Sequence, residues 1–140
     1  MFNGKIVEIG KIISEAKEVF DAKGLKVLPG CIDTQTHFRE PGSTDTEDLH
    51  SGSKAAIVGG ITSVFEMPNT NPPTSNKIEF QKKIDLAKNR MYCNHAFYFG
   101  ATADNADDLA SLEGLEGCCG IKLFAGSSTG NLLVAEEDDI

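Results

Sequence analysis

Regular alternation between strand-like and helix-like segments is the feature that most constrains the fold of this 140-residue chain. From residue 31 onward, β-prone runs begin at Cys31, Ile61, Met91 and Cys119. The segments between these runs carry apolar residues at helical spacing. Such alternation is typical of a parallel sheet whose strands are joined by right-handed helical crossovers. The sequence therefore predicts an α/β fold.

The helices are predicted from their caps and their stop signals. The first is expected to begin at Asp45 or Thr46 and to end near Val58, before a pair of glycines. The second follows Asn76, which forms a capping-box pattern with the glutamate three residues later, and runs to about residue 90. A third, short helix is expected over residues 106–112.

Two architectures fit this pattern, and periodicity alone does not separate them. One is an open doubly wound sheet, and the other is the opening half of a (β/α)8 barrel. A complete barrel needs roughly 200 or more residues, so in the second case the chain is a fragment of a barrel. Residues before Pro29 and Gly30 have a different rhythm, with short β-prone runs between glycines and charged turns, as in a small antiparallel sheet.

Composition excludes several classes of partner. The 13 Lys and Arg residues against 21 Asp and Glu residues leave a net charge of −8, which argues against nucleic acid as a partner. No apolar run approaches the roughly 18 residues that span a bilayer, and the first residues do not resemble a signal peptide. The four cysteines have no C-x-x-C spacing, which favours reduced thiols in a cytoplasmic protein. With nucleic acid and membrane disfavoured, the expected partner is a small-molecule substrate.

Polar side chains follow the predicted strands where a parallel α/β fold places its chemistry. In both architectures the site lies at the carboxyl ends of the strands. Gln35, His37 and Arg39 follow the first strand, and alternation along an extended segment puts them on one face. Asn69 follows the second strand, and Lys122 lies in the fourth, just before its glycine-rich exit. These five residues are the candidate site.

His37 and Lys122 each have a structural and a functional interpretation. A lone loop histidine is more often structural, but three polar groups aimed from an apolar strand into a barrel mouth are costly unless they bind something. Lys122 is either an edge-strand lysine in solvent or a buried lysine whose neutral amine is accessible. Such an amine can react with carbon dioxide to form a carbamate, which can bridge two metal ions.

Three motifs resemble the amino-terminal part of the dihydroorotases, a family of the metal-dependent amidohydrolase superfamily. They are LPGCIDTQTHFREPG, GGITSVFEMPNTNPPT and GIKLFAGSSTGN, and the resemblance extends over about residues 19–134. The HFREPG and MPNT runs are what separates dihydroorotases from the related hydantoinases and allantoinases. The resemblance implies that residues 1–29 are part of a small β-sandwich. It also implies that residues 30–140 are the first four strands of a (β/α)8 TIM-type barrel.

The resemblance also implies a role for each candidate residue. His37 is expected to be a catalytic metal ligand, and Lys122 the carbamylated ligand that bridges one or two divalent ions, zinc above all. Arg39 and Asn69 are expected to hold the substrate carboxylate. The implied reaction is the reversible hydrolysis of dihydroorotate to N-carbamoyl-aspartate in pyrimidine biosynthesis.

Two departures from the family pattern limit these expectations. The usual His-x-His motif reads Gln35-Thr36-His37 here, and an amide oxygen at the position of Gln35 is a poorer zinc ligand than imidazole. The family's other ligands and its aspartate base are expected to lie beyond Ile140. The 140-residue chain alone is therefore expected to be inactive, and a bound metal is not expected of it in every preparation. An open barrel edge also predicts a homo-oligomer or pairing with the rest of the barrel.

Three functional hypotheses follow. The first is a hydrolase, or a fragment of one, that acts on a cyclic amide. The second is a non-catalytic relative with a structural or assembly role, which the glutamine at position 35 favours. The third is a self-contained small α/β binding domain. The joint presence of Arg39, Asn69 and Lys122 favours the first hypothesis, because a scaffold has no need for them.

Overall fold

The structure, a computed structural model, describes residues 3–13, 15–128 and 132–136. Its centre is a parallel four-stranded sheet in the order β1-β2-β3-β4. The strands are β1 (Cys31–Thr36), β2 (Ile61–Glu66), β3 (Asn94–Gly100) and β4 (Cys118–Lys122). The connections carry α1 (Leu49–Val58), α2 (Lys77–Ala87), and a short 3-10 helix (Ala103–Asp108) that runs into α3 (Leu109–Glu113).

The order of the strands distinguishes the two predicted architectures. In a doubly wound sheet the strand order reverses at a switch point, whereas in a (β/α)8 barrel each strand pairs with the next in sequence. Here β1 pairs with β2, β2 with β3, and β3 with β4, all in parallel. The prediction of an α/β fold that forms the first four strands of a barrel is confirmed.

The hydrophobic core lies between one face of the sheet and the helices. Because side chains alternate along a strand, every second residue of β2 and β3 points towards the helices. Val64, Phe97 and Phe99 are buried there, and their helical neighbours in the core are Leu49, Phe80, Ala87 and Leu112. The other face of the sheet carries Phe65 and Tyr98, whose rings meet edge to face with centroids 6.3 Å apart.

The caps of the first two helices agree only in part with the predictions. Helix α1 begins after Asp48 rather than Asp45 or Thr46, because the Asp48 carboxylate accepts the Ser51 N–H at 2.6 Å. The Ser51 hydroxyl in turn accepts the N–H of Asp48, which completes a capping box with serine in the usual glutamate position. The predicted cap Asn76 is confirmed and accepts the N–H of the third helical residue at 2.9 Å. No helix in the described part of the chain is long and apolar enough to cross a membrane.

The β-prone runs of the first 28 residues do not form the predicted sheet. No strand lies within residues 3–13 and 15–30, and large apolar side chains such as Ile9 and Phe20 are 89% and 91% exposed. A strand is stable only when neighbouring strands satisfy its backbone groups and cover its apolar face. These runs find no such partner among the described residues, so the sandwich stays a prediction.

The packing of α1 on the loop after β1 generates a stability prediction. Gly52 faces the ring of Phe38, and a Cβ added at Gly52 would overlap that ring. Gly52→Ala is therefore expected to lower the free energy of unfolding by about 1–3 kcal/mol, although alanine is the better helix former. Gly59→Ala at the end of the same helix meets only ordinary contacts and is expected to change it by less than about 0.5 kcal/mol. Denaturant unfolding of both variants tests this, and equal stabilities would contradict it.

Candidate active site

His37 lies at the point where β1 ends and the chain crosses the carboxyl edge of the sheet. Burial alternates through this exit: Thr36, Phe38 and Glu40 are buried, His37 is half-buried, and Arg39 is exposed. The buried residues face the helical layer and anchor the segment there. The predicted alternation therefore holds at this exit, and it turns His37 away from the core.

Asn69 meets His37 from the loop that follows β2. The Asn69 side chain lies close enough to the imidazole of His37 to act on it as a hydrogen-bonding group, which raises the pKa of His37. The two loops that carry these residues are also joined through their backbones, since the Asn71 N–H donates to the Pro41 carbonyl at 3.0 Å. Two of the predicted site residues, which follow different strands, are thus neighbours at this edge of the sheet.

The surroundings of His37 favour a neutral imidazole. Burial is the largest cause that lowers the pKa of His37 below its ordinary value of 6.5, and the positive charge of Arg39 is the second. The charges of Lys83 and Lys122 lower this pKa further, while the hydrogen bond with Asn69 raises it. A neutral imidazole is the form in which histidine binds metal ions and accepts protons.

Lys122 is less buried than the functional interpretation of the sequence requires. It is the last residue of β4, and its side chain is half-buried with the ammonium 4.8 Å from the centroid of the Phe124 ring. Strand β4 pairs only with β3 in the described structure, so one side of it is open. Lys122 is therefore neither fully solvated nor fully buried among the described residues, and the carbamate stays a prediction.

Gln35 and Arg39 differ in backbone from a regular strand. The Gln35 N–H donates to the Asp33 carboxylate at 2.9 Å, and the register of β1 against β2 shifts between Asp33 and Thr36. The side chain of Gln35 is exposed in this irregular stretch. Arg39 has a φ of 62°, in the left-handed region, which ends the extended segment.

The described residues supply part of a metal site and do not complete one. A zinc site needs three or four nitrogen, sulfur or oxygen ligands. No group of three or more His, Cys, Asp or Glu side chains in residues 3–13, 15–128 and 132–136 could hold a metal ion. His37 offers one neutral imidazole, Gln35 a weakly ligating amide, and Lys122 an amine that ligates only once carbamylated. A metal held at this edge needs ligands from elsewhere.

Two ion pairs that the sequence does not reveal lie between the sheet and the helices, next to the loops that carry the site residues. The Glu40 carboxylate accepts two bonds from the Arg90 guanidinium, at 2.7 and 3.1 Å, and a third from the Leu49 N–H at 2.9 Å. Glu66, at the end of β2, pairs with Lys83 in α2, and both side chains are buried. The helical pattern predicts that Phe80 and Ala87 are buried, but a lysine between them, Lys83, is predicted to be solvated. Its partner is far away in sequence, so no local signal identifies it.

Three comparisons with known proteins bear on this arrangement. A family model described as the amidohydrolase family matches residues 26–119. Dihydroorotase from Methanosarcina mazei is 41% identical over 138 residues, which is 97% of this chain and 30% of that protein. Allantoinase from Escherichia coli is 40% identical over 125 residues, which is 89% of this chain and 27% of that protein.

A solved structure extends the likeness to the fold. L-hydantoinase (dihydropyrimidinase) from Arthrobacter aurescens superimposes with a TM-score of 0.77 and 30% sequence identity. The match covers 89% of this chain and 28% of that one. This chain therefore spans less than a third of the length of each of these relatives, and the dihydroorotase and the allantoinase are almost equally similar to it.

The electrostatics of His37 generate a prediction with two opposite signs. Arg39→Gln is expected to raise the pKa of His37, because a positive charge that disfavours the imidazolium is removed. Asn69→Ala is expected to lower it, because the hydrogen bond that favours the imidazolium is lost. NMR titration of the imidazole carbon-bound protons measures both, with the exposed His95 as an internal control. Shifts of the same sign in the two variants would contradict the described geometry.

The support of Glu40 generates a second prediction. Arg90→Met leaves a buried carboxylate with the Leu49 N–H but without its bidentate partner. The free energy of unfolding is expected to fall by about 1–3 kcal/mol. Arg90→Lys is expected to recover only part of this, because an ammonium cannot reproduce the planar two-point contact. Denaturant unfolding at pH 7 measures both, and full recovery by lysine would refute the bidentate role.

Proposed function

The chain belongs to the amidohydrolase family, and we propose that it forms the first part of the active site of a cyclic amidohydrolase of the dihydroorotase type. The observation that carries the proposal is the proximity of the Asn69 side chain to the His37 imidazole at the carboxyl ends of β1 and β2. Arg39 and Lys122 bring two cations near this contact, close enough to lower the pKa of His37. A neutral imidazole beside two cationic side chains suits a substrate that combines a reactive amide with a negative charge.

Arg39 favours dihydroorotate over uncharged cyclic amides as the substrate. Dihydroorotate carries a carboxylate beside its ring amide, and a guanidinium is suited to a two-point contact with a carboxylate. Arg39 is exposed at the carboxyl edge of the sheet, where such a group can reach it. The amide of Asn69, which lies near His37, supplies the neutral hydrogen-bonding group of the same subsite. In this proposal the two residues orient the ring so that its amide carbonyl lies towards His37.

The proposed reaction adds water across the ring amide of dihydroorotate and releases N-carbamoyl-aspartate, and it runs in reverse as a cyclisation. One or two divalent ions, of which zinc is the expected one, would act as Lewis acids on the amide carbonyl. His37 would hold such an ion through its neutral imidazole and Lys122 through a carbamate, with Gln35 beside them as a weak ligand. Further ligands must come from outside the described residues.

We propose further that the open edges of the sheet are covered by other polypeptide. Strands β1 and β4 each pair with one neighbour only in the described structure, and an unpaired strand edge readily adds another strand. The cover is either the remainder of the barrel or a second copy of the chain. Cys31, Cys93, Cys118 and Cys119 are all free thiols, which fits the proposed cytoplasmic setting.

The alternative is a non-catalytic relative with an assembly role. The observation that favours it is Gln35, which replaces a nitrogen ligand with an exposed amide on an irregular part of β1. Under this alternative the residues around His37 would keep their geometry but bind neither metal nor substrate.

Metal uptake by designed variants tests the proposal. Zinc bound per chain is measured after dialysis for the 140-residue chain and for Gln35→His, His37→Ala and His95→Ala. Gln35→His is expected to raise zinc uptake, because imidazole is a far better zinc ligand than an amide. His37→Ala is expected to abolish it, whereas His95→Ala, at an exposed position in β3, is expected to leave it unchanged.

The same samples test the fragment hypothesis. The zinc-loaded 140-residue chain is expected not to hydrolyse dihydroorotate, because it carries only part of the ligand set. Turnover by this chain alone would contradict that expectation. Equal zinc uptake by the parent chain, Gln35→His and His37→Ala would contradict the proposed ligand roles of Gln35 and His37.

A further inference from the structure

Glu66 and Lys83 form a fully buried ion pair in the layer between the sheet and the helices. The side chain of Glu66 is 1% exposed and that of Lys83 is 0% exposed. Lysine and glutamate are almost never fully buried unless they are paired, and their burial costs solvation free energy that the pairing only partly restores. Burial accordingly raises the pKa of Glu66 and lowers the pKa of Lys83, and the charge of each partner opposes that change. A pair of this kind in a small core requires an explanation beyond stability.

Each member of the pair also makes one hydrogen bond to a backbone group of a loop at the candidate site. The Glu66 Oε1 atom accepts the N–H of Phe38 at 3.1 Å. The Lys83 Nζ atom donates to the carbonyl of Met67 at 2.9 Å. Phe38 lies between His37 and Arg39, and Met67 lies two residues before Asn69. One ion pair therefore holds the loops after β1 and β2 at the points from which the site side chains project.

A contribution to stability alone does not explain this arrangement. Replacement of a buried ion pair by apolar residues of similar volume is often neutral or stabilising. The surroundings of Lys83 are suited to such a replacement, since its ammonium lies 5.4 Å from the centroid of the Phe97 ring, within the apolar core. What apolar side chains cannot do is accept the Phe38 N–H or donate to the Met67 carbonyl.

We propose that Glu66 and Lys83 are positioning residues that hold His37 against Asn69 by fixing the Phe38 amide and the Met67 carbonyl. A carboxylate only accepts hydrogen bonds and an ammonium only donates them, so each backbone group selects one partner. The pair keeps the two loops in one relative position without contacting a substrate. Displacement of a catalytic group by about 1 Å can lower the reaction rate by two orders of magnitude, so an ion pair that fixes the two loops would protect the rate. The catalytic meaning rests on the function proposed above, but the geometry is testable without it.

Two double variants of this chain separate positioning from stability. Glu66→Met with Lys83→Met removes both charges and both hydrogen bonds while it keeps the volume. Glu66→Gln with Lys83→Met also removes both charges, but the glutamine oxygen can still accept the Phe38 N–H. The control is Glu79→Met with Lys82→Met, which removes a solvent-accessible ion pair from α2, the helix that carries Lys83.

The readouts are the hydrogen-exchange rate of the Phe38 amide, the NMR contact between the His37 and Asn69 side chains, and the unfolding transition. In the methionine pair we expect a cooperative unfolding transition, at least tenfold faster exchange at Phe38, and loss of the His37–Asn69 contact. In the control we expect Phe38 exchange within about threefold of the parent and a retained contact. In the glutamine variant, which keeps an acceptor for the Phe38 N–H but lacks the donor to the Met67 carbonyl, we expect Phe38 exchange within about threefold of the parent.

Three results would overturn the proposal. They are an intact His37–Asn69 contact in the methionine pair, Phe38 exchange in the glutamine variant as fast as in the methionine pair, and global unfolding of the methionine pair, which would make the ion pair a stability element. None of these readouts depends on metal or turnover. These readouts can therefore be interpreted even if the proposed function fails. The zinc and turnover tests can likewise be interpreted if the positioning role fails.

Discussion

The arrangement of this molecule depends on how the first strand ends. Side chains of an extended segment alternate between two faces, so the residues that follow β1 must divide between the helical layer and the opposite side. Phe38 and Glu40 enter the helical layer, where one packs on Gly52 and the other binds Arg90 and the amino end of α1. His37 is thereby turned to the other face, at the edge where Asn69 arrives from β2. The packing on the helical face of the sheet and the position of His37 on the opposite face are two consequences of the same alternation.

The charges near His37 are opposite in sign to the net charge of the chain. The chain carries a net charge of −8, yet the groups that act on His37 are cationic. Arg39 and Lys122 approach it from the strand exits, and Lys83 acts on it from the core. Together with burial they lower the pKa of His37, which favours the neutral imidazole, and the exposed guanidinium of Arg39 remains accessible to an anionic ligand. A local cationic site on an acidic protein concentrates a small anion without attracting nucleic acid.

The sequence predicted the parts of the structure that rest on local patterns. Strand and helix periodicity identified the four strands, and Asn76 was predicted correctly as a cap because its signal lies within four residues. The cap at Asp48 was missed because serine replaced the expected glutamate in the box. The ion pair between Glu66 and Lys83 was invisible, since its members are 17 positions apart and each resembles a surface residue when taken alone. For Lys122 the sequence left a solvated and a buried position open, because burial depends on which elements cover a strand and no local pattern shows that.

The central claim is that His37, Arg39 and Asn69 form one preorganised half of a site for an anionic cyclic amide. Titration of the isotopically labelled chain with dihydroorotate, followed by NMR, tests it most directly, with allantoin as the uncharged comparison. The account predicts that dihydroorotate shifts the side-chain signals of Arg39, Asn69 and His37 together along one saturable curve, and that allantoin binds at least tenfold more weakly. Equal affinity for the two compounds, or shifts that avoid these residues, would contradict it.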